Sequence, residues 1–294
     1  MNVTAASEKS LAETLKRHVR VLSDEIGDRS LFRYEKLEEA ARYVGRQFES
    51  YGYGVAYQTY AVAGKPVRNI IVKKEGKRFP EEQVILGAHY DSCFNPGADD
   101  NASGVAALLE VARALAVRSL DRSVVFIAFV NEEPPSFKTP EMGSRVYARE
   151  AKARGDDIRG VVALEMVGYF SDRPRSQNYP PLLGLFYPDK GNFIAVVGNL
   201  RSRRLTKEVS RAFKKHSLFP MESVVTFEFI PGVDWSDHAS FWEEGFPAVM
   251  VTDTAFLRNP NYHQLSDTWG TLDYEKMGRV VEALAAVVAE LATP

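Results

Sequence analysis

Residues 85–104 read ILGAHYDSCFNPGADDNASG. The apolar run Ile85–Ala88 ends at His89, Asp91 follows two residues later, Pro96 and Gly97 form a turn, and Asp99 and Asp100 then stand side by side among small residues. A short apolar run without polar alternation, closed by a turn signal, predicts a strand covered on both faces. The next stretch, SGVAALLEVARALAV (103–117), predicts a helix that is apolar on most faces, with Ser103 as its cap. Adjacent carboxylates repel and prefer water. At the mouth of a buried strand they indicate either a solvated helix cap or a bound cation.

The same unit recurs along the chain. RSVVFIAFVNEE (122–133), RGVVALEMVGYF (159–170), GNFIAVVGNL (191–200) and PAVMVTDT (247–254) are further apolar strands. Helical spacing appears over 8–26, 34–51, 204–216 and 274–292, and β-like runs over 55–60 and 68–73. Apolar strands alternating with helices predict an α/β fold, a three-layer α/β/α sandwich around a mixed, mostly parallel sheet. No repeat or linker divides the chain, so the expectation is one domain over 1–294.

The 294 residues are 45% hydrophobic and 26% charged with a net charge of −2. No basic face points to nucleic acid. No run reaches the roughly 20 apolar residues of a membrane helix. MNVTAASEKSLAETL at the start lacks a signal-peptide core, so the chain as given reads as cytoplasmic. Cys93 is the only cysteine, which excludes an intrachain disulfide.

In open α/β sheets ligands bind beyond the carboxyl ends of the strands, and chemistry-bearing residues collect there. His89 follows the first apolar strand, Glu132 and Glu133 the second; Glu165 breaks the third, and His263 follows PAVMVTDTAFLRNPNY. A lone histidine or Glu-Glu pair at a strand end is ordinarily structural or solvated. A carboxylate inside an apolar run is costly to bury unpaired, and the recurrence at one edge gives the others weight. Imidazole nitrogen and carboxylate oxygen are zinc donors. Asp100, Glu133 and Glu165 carry three negative charges, which two divalent ions and one hydroxide bring to neutrality. The donors divide into His89 with Glu165 and Glu133 with His263, with Asp100 between them.

The motifs GAHYDS, PGADDNASG, NEE, EMVGY, SDHASFW and NYHQLSDT, in this order between residues 87 and 268, resemble those of the co-catalytic di-zinc aminopeptidases, relatives of glutamate carboxypeptidase, transferrin receptor and glutaminyl cyclase. The resemblance implies that His89, Asp100, Glu133, Glu165 and His263 bind two zinc or other divalent ions. Asp100 bridges, and Glu132 is the general base to a metal-bridging water. It further implies that Asp91 orients His89 and that Asp99 and Asp267 support the metal loops. Asp237 and His238 are expected beside the ligands, and Phe241 and Trp242 as candidate walls of a closed cleft. Tyr262, next to His263, is the candidate hydrogen-bond donor to the oxyanion. His18 and His216 are expected at the surface, and Cys93 is given no catalytic role.

The implied activity is removal of the N-terminal residue of a peptide. A glutaminyl cyclase-like acyltransferase and a carboxypeptidase or dipeptidase are the alternatives; Arg173, Arg175 and Lys190 could read a substrate carboxylate. The chain departs from the common pattern at Glu165, where many members carry Asp. It also departs at two stretches expected on the site's rim, 134–142 and 171–191.

Overall fold

The computed structural model describes residues 5–180 and 183–294; Pro181 and Leu182 of the second rim stretch lie outside them. The expected alternation is present. Helices α1 (Ala5–Arg20), continued by a wider turn to Ile26, and α2 (Tyr34–Ser50) precede strands β1 (Val55–Val62), β2 (Lys65–Lys74) and β3 (Phe79–His89). Then come α3 (Gly104–Ala116), β4 (Arg122–Phe129), α4 (Gly143–Arg154), β5 (Asp157–Glu165), β6 (Ile194–Asn199) and α5 (Arg203–His216). The chain closes with β7 (Met221–Thr226), α6 (His238–Glu243), β8 (Ala248–Thr252) and α7 (Tyr274–Leu291). Sequence patterning missed α4, α6 and β7. The α6 helix is six residues long, too short to establish a period, and α4 starts directly after the first rim stretch.

The eight strands form one sheet in the order β1-β2-β4-β3-β5-β8-β6-β7. The central four, β4, β3, β5 and β8, are parallel neighbours; β1 and β2 pair antiparallel, and β6 runs antiparallel to β8. Strand residues alternate between two cores, as a sheet covered on both faces requires. Val84, Leu86 and Ala88 face the core shared with α1, α2, α3, α5 and α7, while Ile85 faces the core under α4 and α6. Val124, Phe126 and Ala128 alternate in the same way with Val125, Ile127 and Phe129.

This topology positions the site. β3 connects through α3 to β4 on one side, and α4 returns the chain across the opposite face to β5 on the other. The carboxyl ends of four adjacent parallel strands therefore open into one crevice, at the point where the strand order reverses. His89 and Glu165 are the final residues of β3 and β5. Glu165 thus ends its strand instead of interrupting it; Met166 turns the backbone to φ 51° and leaves the sheet.

Ser103 does not cap α3. Asn101 does this, its Oδ1 accepting from the Gly104 N–H at 3.0 Å, while Ser103 Oγ accepts from the Val167 N–H at 3.0 Å and donates to the Asp99 carbonyl at 2.7 Å. No helix among the described residues is long and apolar enough to cross a membrane.

Candidate metal centre

The loop between β3 and α3 is held by a residue that sequence reading passed over. Arg29 is fully buried and donates to the carbonyls of Leu22, Gly27, Tyr90, Pro96 and Gly97 at 2.6–3.1 Å. A buried guanidinium without partners would cost several kcal/mol; five carbonyls meet it here. Burial pulls it down to about 10, against the pull of Asp91, Asp267 and Asp100. Gly97 makes the turn possible. Its φ is 57°, and a Cβ there would lie 2.4 Å from the Asp100 carbonyl oxygen.

The five expected ligands converge and are at least nine-tenths buried except His263. His89 Nε2 lies 3.4 Å from Asp100 Oδ1 and 3.3 Å from Glu165 Oε2. His263 Nε2 lies 3.2 Å from Asp100 Oδ2 and 3.4 Å from Glu133 Oε2. Asp100 therefore turns one oxygen to each histidine. Glu132 Oε2 is 4.0 Å from His89 Nε2.

Burial would lower the basicity of His89, but Glu165, Glu132, Asp100 and Asp91 raise it well above the ordinary imidazole value. Burial pushes Glu133 up to about 7, with Asp100 adding to it, and lifts Glu132 well above the usual carboxylate range. Burial acts the same way on Asp100, but the nearby His263 and His89 outweigh it and hold that carboxylate below its usual value.

This donor set fits a metal. Both His89 ring nitrogens and Glu133 Oε1 are buried without a hydrogen-bond partner, although such atoms are normally satisfied. His89, Asp100 and Glu165 each offer a donor atom within 4.8 Å of the other two, and so do His89, Glu132 and Glu133. Nitrogen and carboxylate oxygen in this arrangement suit zinc.

The supporting aspartates have separate tasks. Asp91 lies 3.6 Å from His89 Nδ1 and also accepts the Glu132 and Glu133 N–H groups at 3.1 and 3.0 Å. Asp267 accepts the N–H groups of Asp99 and Asp100 at 2.9 and 3.1 Å. Asp99 turns away from Asp100, accepting from the Gly168 N–H at 3.0 Å and Asn259 Nδ2 at 2.7 Å. Burial, with the nearby Asp253 adding to it, pushes Asp99 well above the usual carboxylate range. The repulsion between Asp99 and Asp100 is thus reduced by their divergence, Asp99 bonding to Gly168 and Asn259 and Asp100 facing the histidines. Ser236, also missed from sequence, donates to Glu165 Oε2 at 2.7 Å.

Other expected residues are placed differently. Asp237 is buried with both oxygens unbonded and is pushed up to about 7 by burial, with Glu165 and Asp91 adding to that against the pull of His89. His238 turns from the cluster; its Nε2 is 2.7 Å from the Val233 carbonyl and its ring meets Trp242 edge-on. Phe241 packs against Phe129 and Tyr147 in the core, and Trp242 donates to Ser202 Oγ and the Ala248 carbonyl, so neither walls a cleft. His216 is exposed as expected, but His18 is buried, 2.6 Å from the Tyr43 hydroxyl and 3.4 Å from Glu110. It lies three residues after Leu15 on the apolar stripe of α1, which is the signal that should have placed it inside.

The ring of Tyr262 stacks on His263, with centroids 3.9 Å apart. Its phenol is held protonated, first by burial and then by the surrounding carboxylates. Tyr262 and Glu165 also line an apolar pocket of about 120 Å³ whose walls include Phe193, Val197, Val224, Trp235, Met250 and Phe256. Tyr179 and Tyr187, from the stretch 171–191, complete one side. Among the described residues no lysine or arginine lines it; Arg173, Arg175 and Lys190 are exposed.

The profile of Peptidase family M28 matches residues 69–288. The chain is 40% identical over 286 residues to the uncharacterized protein YfbL of Escherichia coli K12, covering 94% of this chain and 87% of that one. It is 28% identical to the probable leucine aminopeptidase 1 of Trichophyton verrucosum over 72% of this chain, and spans 55% of that relative's length. The zinc aminopeptidase BSAP of Bacillus subtilis has the same fold, with a TM-score of 0.75, 17% identity, and 96% and 95% of the two chains covered. A glutaminyl cyclase of Bacteroides thetaiotaomicron shares it at a TM-score of 0.70, with 20% identity and 95% and 97% covered. The chain belongs to Peptidase family M28.

Proposed function

We propose that this M28 peptidase is a two-zinc aminopeptidase that removes large apolar residues from the free amino end of peptides. The observation that carries the reading is the divided use of Asp100, one oxygen toward His89 and the other toward His263, beside an apolar pocket with Glu165 and Tyr262 in its lining. His89, Glu165, Glu133 and His263 would hold the ions in two pairs, with Asp100 shared. The ions supply Lewis acidity and make water a competent nucleophile near neutral pH.

The chain's own groups do the rest. Glu132, 5% exposed and beside the donors, takes the proton of the attacking water and returns it to the leaving amine as the C–N bond breaks. Tyr262, with its phenol protonated, donates a hydrogen bond to the developing oxyanion. The acidic cluster pairs with the substrate ammonium. The pocket takes the first side chain, whose burial is worth about 1.5–3 kcal/mol, and so fixes the scissile carbonyl at the cluster.

One peptide in three forms tests this reading. N-acetylation should lower kcat/KM by at least about two orders of magnitude, about 3 kcal/mol of transition-state binding, and C-terminal amidation should change it little. The reverse pattern would make the enzyme a carboxypeptidase, and equal rates for all three would exclude an exopeptidase. The shared fold gives the cyclase reading its support. An N-terminal glutaminyl peptide separates the two, since an aminopeptidase frees glutamine and a cyclase releases ammonia.

A further inference from the structure

Cys93 lies on the loop after β3, four residues beyond His89, and is half-buried. The fold brings this sulfur to the loop-held side of the centre. Cys93 Sγ, a Glu133 carboxylate oxygen and a His263 ring nitrogen all lie within 4.8 Å of one another. A second observation points to a ligand at the same place. Glu133 is 4% exposed, and its Oε1 has no hydrogen-bond partner. The His263 ring is fixed from its other side by the stack on Tyr262. Zinc binds thiolate sulfur at about 2.3 Å and imidazole or carboxylate at about 2.0–2.2 Å, so three donors this close can share one ion after small adjustments. No second cysteine exists to give His89, Asp100 and Glu165 a thiolate, since Cys93 is the only one in the sequence.

Resting on the two-zinc reading, we infer that Cys93 is a further protein donor to the ion held by Glu133 and His263, so that one half of the centre carries a sulfur ligand and the other only nitrogen and oxygen. Coordination to a dication deprotonates a thiol, and a thiolate shifts a site's preference toward zinc and away from magnesium or manganese. The two halves should therefore differ in metal selectivity as well as in exposure.

The single cysteine makes the test unambiguous. Full-length protein, kept reduced with a phosphine, is loaded with cobalt(II) alone and read by absorption, with the bound metal counted. A thiolate-to-cobalt charge-transfer band is expected in the wild type and should be absent from Cys93→Ser and Cys93→Ala, both checked for native circular dichroism. Zinc-edge absorption should show the same sulfur shell at about 2.3 Å, lost in both variants. A wild type that binds cobalt without the band, or variants that keep it, would overturn the assignment. The count tests the underlying reading separately. One equivalent with the band removes the two-ion centre but keeps the sulfur ligand, and two equivalents without it do the opposite. Failure to bind any metal would overturn both.

Discussion

His89 and Glu165 stand on the last residues of two adjacent strands and are almost wholly covered, whereas Glu133 and His263 are carried by loops, with the His263 side chain 30% exposed. The first pair is positioned by the ladder of a parallel sheet. The second depends on backbone bends at Asn131, φ 58°, and His263, φ 56°, and on the bond from the Glu133 N–H to Asp91. Asp100 and Asp91 tie the halves together. Asp100 gives an oxygen to each, and Asp91 reaches both His89 and the N–H groups of Glu132 and Glu133. The rigid half fixes where the centre lies. The loop half is the side that reaches solvent, through His263.

The largest expected effect separates chemistry from metal holding. Glu132→Gln should keep both ions and lower kcat roughly 10²–10⁴-fold, since the amide preserves shape but takes no proton; full activity would remove Glu132 from the mechanism. Asp100→Ala should instead release metal from both halves, and a variant that kept two ions would dissolve the link between them. Next comes the tie at Asp91. Asp91→Asn keeps one acceptor oxygen where two are used, and metal affinity should fall about 10–100-fold, the usual cost of losing a group that orients a ligand. Calorimetric titration with zinc would show it, and unchanged affinity would mean the halves are held independently.

Smaller effects concern stability. In metal-free protein, His89→Ala should lower the thermal midpoint by several degrees and His263→Ala by less, because only His89 is fully enclosed among carboxylates. Equal losses would erase the distinction between sheet-borne and loop-borne ligands.

The smallest is a pH dependence of the metal-free chain. Burial raises Glu133 and Asp237 from ordinary carboxylate values to about 7, so the folded chain holds protons there that the unfolded chain has released. Stability then falls as pH rises toward 7. For His263, burial opposes the charged form, but Asp100, Cys93 and Glu133 raise its pKa above the ordinary 6.5. Its contribution is complete below 6.5 and is lost as pH rises through the folded-state value. Both act in one direction, so the metal-free midpoint should fall between pH 6 and 8, while zinc-loaded protein changes less. A metal-free midpoint that rises over this interval would contradict the account.

The difference between the halves also explains what the sequence could convey. His89 and the Glu132–Glu133 pair were legible because each follows an unbroken apolar run, and the parallel sheet turns such positions into neighbours. Glu165 stood out for the cost of a carboxylate in that setting. His263, eleven residues beyond the end of β8, has no periodicity to mark it and stood out only as a histidine after the last apolar strand, to which the motif around it added weight. Arg29, Ser236 and Asn259 reach the site from 61 to 160 residues away along the chain, and no local pattern announces such pairings. Cys93 was near in sequence, but its value depends on the distance to His263, which only the fold sets.

The most direct test of the account is anomalous diffraction at the zinc absorption edge from crystals of active, zinc-loaded protein. Two peaks are predicted, one between His89 and Glu165 and one between Glu133 and His263, with Asp100 contacting both. A single peak in crystals that still turn over a peptide would contradict the two-metal centre.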